Sequence, residues 1–331
     1  MRPKKNLRVA IAGAGLMGRW HAHYARKAGA RIAAVIDSNA AAGHALKAKT
    51  HTAAVFQDLQ QCLASVQIDV VHICTPSTTH SSLSRISLEN GAHVLVEKPG
   101  AGSIREAEEL VQLAAARGLK INPVHQFPFQ NGFMKLLKTQ NQLGAPVQVA
   151  LEICTAGGVN KSSLERRAIL VEMVPHAISL FTRLLGSSAF DKLRAVPQHG
   201  EDELEIHGVV GGATVRAFFT HRGRPARNDL TYTGTVDTAH VDLFHGYCFT
   251  ERGSTSRTSK ALRPLKNGLS AFSTASINLA ARAIRSEWAY PGLGELIARF
   301  YRAVREDLTP PVSAEEFIEA ARLSSECAVK F

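Results

Sequence analysis

The chain has 331 residues, 45% hydrophobic and 20% charged, with a formal net charge of +11. That length exceeds one domain of roughly 100–200 residues, and the balance excludes a disordered or collagen-like chain. Cys62, Cys74, Cys154, Cys248 and Cys327 are scattered and form no CxxC pair, which argues against a disulfide framework or cysteine-rich zinc site and for a reducing compartment.

The basic start, Met1 to Arg8, has no apolar signal core and leads straight into a strand, Leu7 to Ala12. This strand ends in Gly13-Ala14-Gly15-Leu16-Met17-Gly18, followed by a helix to about Lys27 and a second strand, Arg31 to Ile36, that stops at Asp37. Next come a helix from about Asn39 to Lys49, a short strand around Val55, and a helix to about Ser65 with Asp58 as its cap. Ile68 to Thr75 is a continuous apolar run, as expected of a strand buried on both faces. A helix from His80 to Asn90 stops at Gly91, and His93 to Val96 is the next strand. Ser103 caps a helix to about Arg117, and Leu119 to Val124 is a further strand. Strands alternating with helices predict an α/β fold, a doubly wound parallel Rossmann sheet.

The glycines carry the chemistry. Gly13 permits a tight turn, Gly15 lets backbone approach a pyrophosphate, and Gly18 lets helix and strand pack closely. The helix N-terminus then offers N–H groups and partial positive charge to phosphates. Asp37, nineteen residues beyond Gly18, has the spacing of a carboxylate that binds the adenosine ribose hydroxyls. A carboxylate repels a ribose 2′-phosphate, so NAD is expected ahead of NADP, although Ser38, Asn39 and Arg19 leave NADP open.

Thr75-Pro76 follows the fourth strand and Glu97-Lys98-Pro99 the fifth; between them His80 opens a helix. On this pattern, and on Pro311-Val312-Ser313-Ala314-Glu315-Glu316 before the last helix, the chain resembles the glucose–fructose oxidoreductase, inositol dehydrogenase and rhizopine-catabolism (Gfo/Idh/MocA) family. The resemblance implies an NAD(P)-binding domain over 1–124 and, over 125–331, a substrate-binding and oligomerisation α/β domain with a largely antiparallel sheet. Residues 145–156 and about 191–250 do read as strands, among them DKLRAV, DELEIHGVV and ATVRAFFTH. A sheet face of that kind often serves the family as an oligomer interface, so a homo-dimer or tetramer is expected. The cofactor-binding set is then Gly13, Gly15, Leu16, Met17, Gly18, Asp37, Ser38, Thr75, Pro76, His80, Glu97, Lys98 and Gln126.

Three residues are candidates for catalysis. Lys98 ends a strand beside the expected cofactor site, where its ammonium could polarise a carbonyl, and Pro99 restricts it to extended backbone. In the family that Lys-Pro bond is one that can be cis. The family's second motif is Asp, then His four residues on, then often Asp three further; here those positions hold Glu172, His176 and Ser179. His176 suits a general base, and Glu172 could orient its ring. Glu172 and His176 stand i, i+4 and on one helix would share a face, unless Pro175 starts the helix near Val174 and leaves Glu172 on the entering loop. Without the motif, His176 reads as a satisfied histidine on an apolar helix. After His125 and Gln126, Phe127 and Pro128 replace the family's arginines, with Lys161, Arg166 and Arg167 as substitutes for an anion anchor or simply a solvated loop.

The segment 251–290 holds seven basic side chains against Glu251 and Glu287, and Ala271 to Trp288 reads as an apolar-sided helix. It could cover a substrate cleft, meet a neighbouring subunit or lie on an anionic membrane, in that order. Aromatic–basic interleaving and metal-ligand spacing are both absent, so neither nucleic acid nor a metal is expected. No uninterrupted apolar run approaches the ~18 residues of a membrane span, and a cytoplasmic location is expected. The resulting expectation is an NAD(P)-dependent dehydrogenase acting on CH–OH groups of a sugar, cyclitol or nucleotide-linked sugar, with the positive charge favouring an anionic substrate. Its rivals are a non-catalytic dinucleotide-binding sensor of the same fold and an enzyme of other chemistry that keeps its cofactor bound.

Overall fold

The computed structural model describes residues 6–50, 54–186, 193–198, 202–254 and 256–330. The chain forms two compact units, Met1–His125 with Leu293–Ser325, and Gln126–Gly292 with Glu326–Phe331.

In the first unit strands and helices alternate: β1 (Arg8–Ala12), α1 (Leu16–Lys27), β2 (Arg31–Ile36), α2 (Ala40–Thr50), β3 (Ala54–Phe56), α3 (Leu59–Ser65), β4 (Val70–Ile73), α4 (His80–Glu89), β5 (His93–Val96), α5 (Ile104–Ala116) and β6 (Ile121–Pro123). The sheet order is β3-β2-β1-β4-β5-β6, with every pair parallel. Helices cover both faces, which is why Val9, Ile11, Val71, Ile73 and Val94 can run apolar without alternation and all be buried. Two helix starts are set by side chains: Asp58 accepts from the Gln61 N–H at 2.8 Å, and Ser103 from the Glu106 N–H at 3.2 Å. The strand order reverses between β1 and β4, so a crevice opens beyond their carboxyl ends, where ligands bind in open α/β sheets.

Residues 293–325, assigned from sequence to the second domain, instead complete the first unit. They bring α10 (Leu293–Glu306) and most of α11 (Ala314–Lys330). Gly294 allows close packing, since a Cβ there would lie 2.9 Å from Tyr24 Cδ1, and α10 buries Leu296, Ile297, Phe300 and Tyr301. Polar ties reinforce this: Asn122 Oδ1 accepts from the Val312 N–H at 3.0 Å, and buried His125 and Glu316 pair at 2.9 Å.

The second unit contains α6 (Asn131–Thr139), β7 (Pro146–Cys154), α7 (Ser163–Val171), α8 (Val174–Leu185), β8 (Arg194–Gln198), β9 (Glu203–Val210), β10 (Ala213–Thr220), β11 (Arg227–Gly234), β12 (Asp237–Asp242), β13 (Tyr247–Arg252) and α9 (Arg257–Ile284). Its sheet runs β13-β12-β11-β7-β10-β9-β8, and among the described strands only β7 and β10 pair in parallel. The largely antiparallel expectation therefore holds. Of the expected strand DKLRAV, Asp191 and Lys192 lie outside the described residues. Helix α9 starts earlier than Ala271 because Ser256 Oγ accepts from the Ser259 N–H at 3.1 Å and the helix runs on through Pro264. It ends before Trp288, at Ile284. One stretch, Ser163–Leu185, is long and apolar enough by length and composition to cross a membrane. It breaks between α7 and α8, and α8 buries Val174, Ile178 and Phe181 within the chain.

Candidate active site

The turn after β1 shows which glycines the protein itself requires. Gly13 has φ +96°, and a Cβ there would lie 2.5 Å from the Cys74 carbonyl oxygen; at Gly18 it would lie 1.8 Å from the Gly13 carbonyl oxygen. At Gly15 a Cβ would meet nothing within 4 Å, so no protein neighbour demands glycine there. Its bare face stands at the N-terminus of α1, which has no side-chain cap and no acidic residue in its first turn. The first helical bond runs from the Arg19 N–H to the Gly15 carbonyl, so the N–H groups of Leu16 and Met17 precede it. Leu16 is exposed and Met17 half-buried.

At the end of β2, Asp37 accepts from the Ala14 N–H at 2.7 Å and the Asn39 N–H at 2.8 Å, one bond to each oxygen. Each carboxylate oxygen keeps acceptor capacity for a hydroxyl. An uncapped helix start, a glycine with open space above it and a carboxylate at the second strand's end fit a dinucleotide. Ser38 is exposed beside Asp37. Beyond β4, Thr79 donates its hydroxyl to the Pro76 carbonyl at 2.8 Å, so the 2.7 Å contact between Thr75 and Thr79 has Thr75 as donor.

The His80 ring is turned into the protein. It is buried, with Nδ1 2.7 Å from the Pro99 carbonyl oxygen and Nε2 2.8 Å from that of Thr75. Both nitrogens are occupied in tying the Thr75–Pro76 turn to the Lys98–Pro99 turn. Glu97 likewise turns inward. One of its oxygens lies 3.0 Å from His21 Nε2, and the other accepts from the Lys98 N–H at 3.2 Å. Half-buried Lys98 follows on the same turn, and the Lys98–Pro99 bond is cis.

Behind this turn runs a buried polar chain. His21 Nδ1 stands 3.0 Å from His72 Nδ1, and His72 Nε2 stands 2.8 Å from the Tyr301 hydroxyl. Burial, and secondarily the charge of His21, holds His72 well below the usual imidazole value. Burial alone would raise Glu97, but hydrogen bonding and charge from His21, with help from Lys98, hold it below the usual carboxylate value. Tyr301, His72, His21 and Glu97 thus form one buried chain of hydrogen-bonding groups that ends on a carboxylate. Sequence reading missed His21, His72 and Tyr301. A histidine inside the apolar run of β4 was the available signal, whereas Tyr301 lies on a helix 229 residues away.

The second unit holds the other candidates. His176 is buried in the first turn of α8, its ring stacked on Phe127 with centroids 4.1 Å apart and planes 12° apart. Phe127 thus packs against the candidate base. Glu172 caps the end of α7 and precedes α8, so it lies outside the helix that carries His176. Ser179 is buried and donates to the His176 carbonyl at 2.9 Å. Gln126 is buried in this unit, where a Cβ on Gly292 would lie 2.3 Å from its carbonyl oxygen. Lys161 pairs with Glu165 at 3.0 Å and Arg166 with Asp202 at 3.0 Å, so two of the substitute anion anchors carry structural ion pairs. Among the described residues no group of three His, Cys, Asp or Glu side chains is arranged to hold a metal.

Residues 7–125 match the model of an oxidoreductase family with an NAD-binding Rossmann fold, Gfo/Idh/MocA. The D-glucoside 3-dehydrogenase of Escherichia coli K12 is 30% identical over 199 residues, 57% of each chain. The UDP-N-acetylglucosamine 3-dehydrogenase of Acidithiobacillus ferrooxidans is 28% identical over 200 residues, 58% of each. The chain therefore spans little more than half the length of these relatives in sequence. In structure, the same Acidithiobacillus enzyme aligns over 98% of this chain and 97% of its own, with TM-score 0.75 and 19% identity. The WlbA dehydrogenase of Bordetella pertussis, solved with NADH and UDP-GlcNAcA, aligns over 100% and 96%, with TM-score 0.76 and 15% identity. These likenesses extend the shared fold to the second unit. Residues 7–125 thus carry the NAD-binding Rossmann domain described by the Gfo/Idh/MocA oxidoreductase family model.

Proposed function

We propose that the chain is an NAD-dependent oxidoreductase that interconverts a carbinol and a carbonyl on a sugar, cyclitol or nucleotide-linked sugar. The observation that carries this reading is the uncapped start of α1, where Gly15 is bare although no protein atom requires it. Backbone N–H groups of Gly15, Leu16 and Met17 would hold the pyrophosphate, and Asp37 the adenosine ribose. Ser38, Thr75, Pro76 and Gln126 complete the cofactor set. The Asp37 carboxylate disfavours a 2′-phosphate, so NAD is preferred over NADP.

When bound, a nicotinamide supplies the two-electron hydride acceptor or donor. His176 takes the hydroxyl proton as the carbinol is oxidised and returns it in reduction. Lys98 stabilises the negative charge that develops on the oxygen. Glu97 holds the Lys98 N–H and fixes that turn. Glu172 serves to shape the entry to α8. The relatives' glucoside and UDP-sugar names support the substrate class, and the +11 charge favours its anionic members. Five free cysteines fit a reducing, cytoplasmic setting, and a homo-oligomer is part of the same reading.

The test combines thermal shift with NAD, NADH, NADP and NADPH with turnover on glucosides, inositols and UDP-N-acetylglucosamine. NAD should raise the melting temperature, and Lys98→Met and His176→Asn should each lower kcat by roughly 10²-fold or more without losing that shift. No shift with any cofactor overturns the reading. A shift without turnover on any substrate class favours the sensor, and full turnover in both variants removes Lys98 and His176 from the chemistry.

A further inference from the structure

Helix α9 carries its two faces the opposite way round from a surface helix. None of its 28 residues is buried. The side turned to the rest of its own unit is polar: Arg263 donates to Glu251 at 3.2 Å, and Asn278 and Arg282 both donate to the His245 carbonyl, at 3.0 and 2.8 Å. The apolar residues Leu262, Leu265, Leu269, Phe272 and Leu279 lie on the other side, 49% to 72% exposed. Their spacing of three, four, three and seven is the a/d repeat of a helix that packs along another helix. Ser276 and Ala283 fill the remaining seam positions, so no charge interrupts it.

We infer that the outward face of α9 is an interface between two copies of this chain, with α9 lying antiparallel to its counterpart across a two-fold axis. Three features select a second copy. The seam has helix–helix periodicity, and an isologous contact needs only one such surface. Its flanks are mostly small and neutral, with Ala261, Gly268 and Ala275 on one side, so self-pairing brings few like charges together and the backbones can approach. With Ile277 and Ile284 alongside, the exposed side chains amount to roughly 800 Å² of apolar surface per copy, one partner's share of a standard interface. An anionic membrane fits less well, because Arg263 and Arg282 are turned to protein acceptors.

The experiment measures the mass of the full chain by light scattering and sedimentation over a wide concentration range. It compares wild type with Leu269→Glu/Phe272→Glu, both exposed positions, whose fold is checked by circular dichroism and melting temperature. The expected result is a wild-type oligomer whose mass halves in the double variant, and a disulfide-linked dimer on mild oxidation of Phe272→Cys. A wild type that is monomeric at all concentrations overturns the inference, as does an oligomer that survives the two glutamates. So does a monomer that sediments with phosphatidylserine vesicles and loses that binding in the double variant, which would assign the face to a membrane. None of these readouts depends on turnover, so the oxidoreductase reading stands or falls separately.

Discussion

Gly15 and Gly18 sit three residues apart and answer to different neighbours. An added methyl at Gly18 runs into the Gly13 carbonyl at 1.8 Å, so Gly18→Ala should destabilise the protein by about 1–3 kcal/mol in denaturant titrations. At Gly15 the same methyl meets open space. Gly15→Ala should therefore melt with wild type in the absence of cofactor yet bind NAD roughly tenfold more weakly or worse, about 1.4 kcal/mol, in calorimetric titrations. His72 supplies a second prediction at this scale. Its folded pKa is depressed, so below about pH 6.5 the unfolded chain takes up a proton that the folded chain refuses. Stability should then fall progressively as pH drops below that value. Glu97 weakens the fold only at lower pH, as its carboxylate protonates. Comparing wild type with His72→Gln between pH 5.5 and 7.5 isolates the histidine, and the variant should show the flatter slope.

Short-range chemistry was legible in the sequence because cause and effect lie within a few residues. Asp58 was readable as the cap of α3, and the structure places it 2.8 Å from the Gln61 N–H; Asp58→Ala should cost about 1 kcal/mol in unfolding experiments. Pro175 was readable as the first turn of α8, which is why Glu172 falls outside that helix. The glycine turn, Asp37 and the six parallel strands likewise followed from local pattern. Helix α9 was read too short because Pro264 and Gly268 are poor helix residues, yet Ser256 starts the helix and its polar face is held by long-range bonds to Glu251 and His245. The hydrogen-bond partners of His80 were not legible for a related reason. Its motif position says nothing about which carbonyls its ring will meet, and both lie in turns outside its own helix.

At the scale of the whole molecule, the first unit is assembled from two distant stretches, 1–125 and 293–325. No local pattern marks which unit an amphipathic helix such as α10 will join, so this arrangement was not readable from the chain. A fragment of residues 6–125 would leave His72, Asn122 and His125 without Tyr301, the Val312 N–H and Glu316. Each orphaned buried group costs ~1–3 kcal/mol. That fragment should show no cooperative melting transition, whereas 6–125 joined by a flexible linker to 293–325 should melt cooperatively and respond to NAD. The same arrangement sets the order of events on the ribosome. Residue 125 leaves the exit tunnel well before residue 325, and at roughly 5–20 residues per second the gap is about 10–40 s. Throughout that interval the dinucleotide-binding sheet lacks the helix that closes over His72, and residues 126–292 of the second unit emerge before that helix does. The nascent chain is thus expected to engage chaperones during this wait, and to acquire its cofactor only once residues 293–325 have emerged.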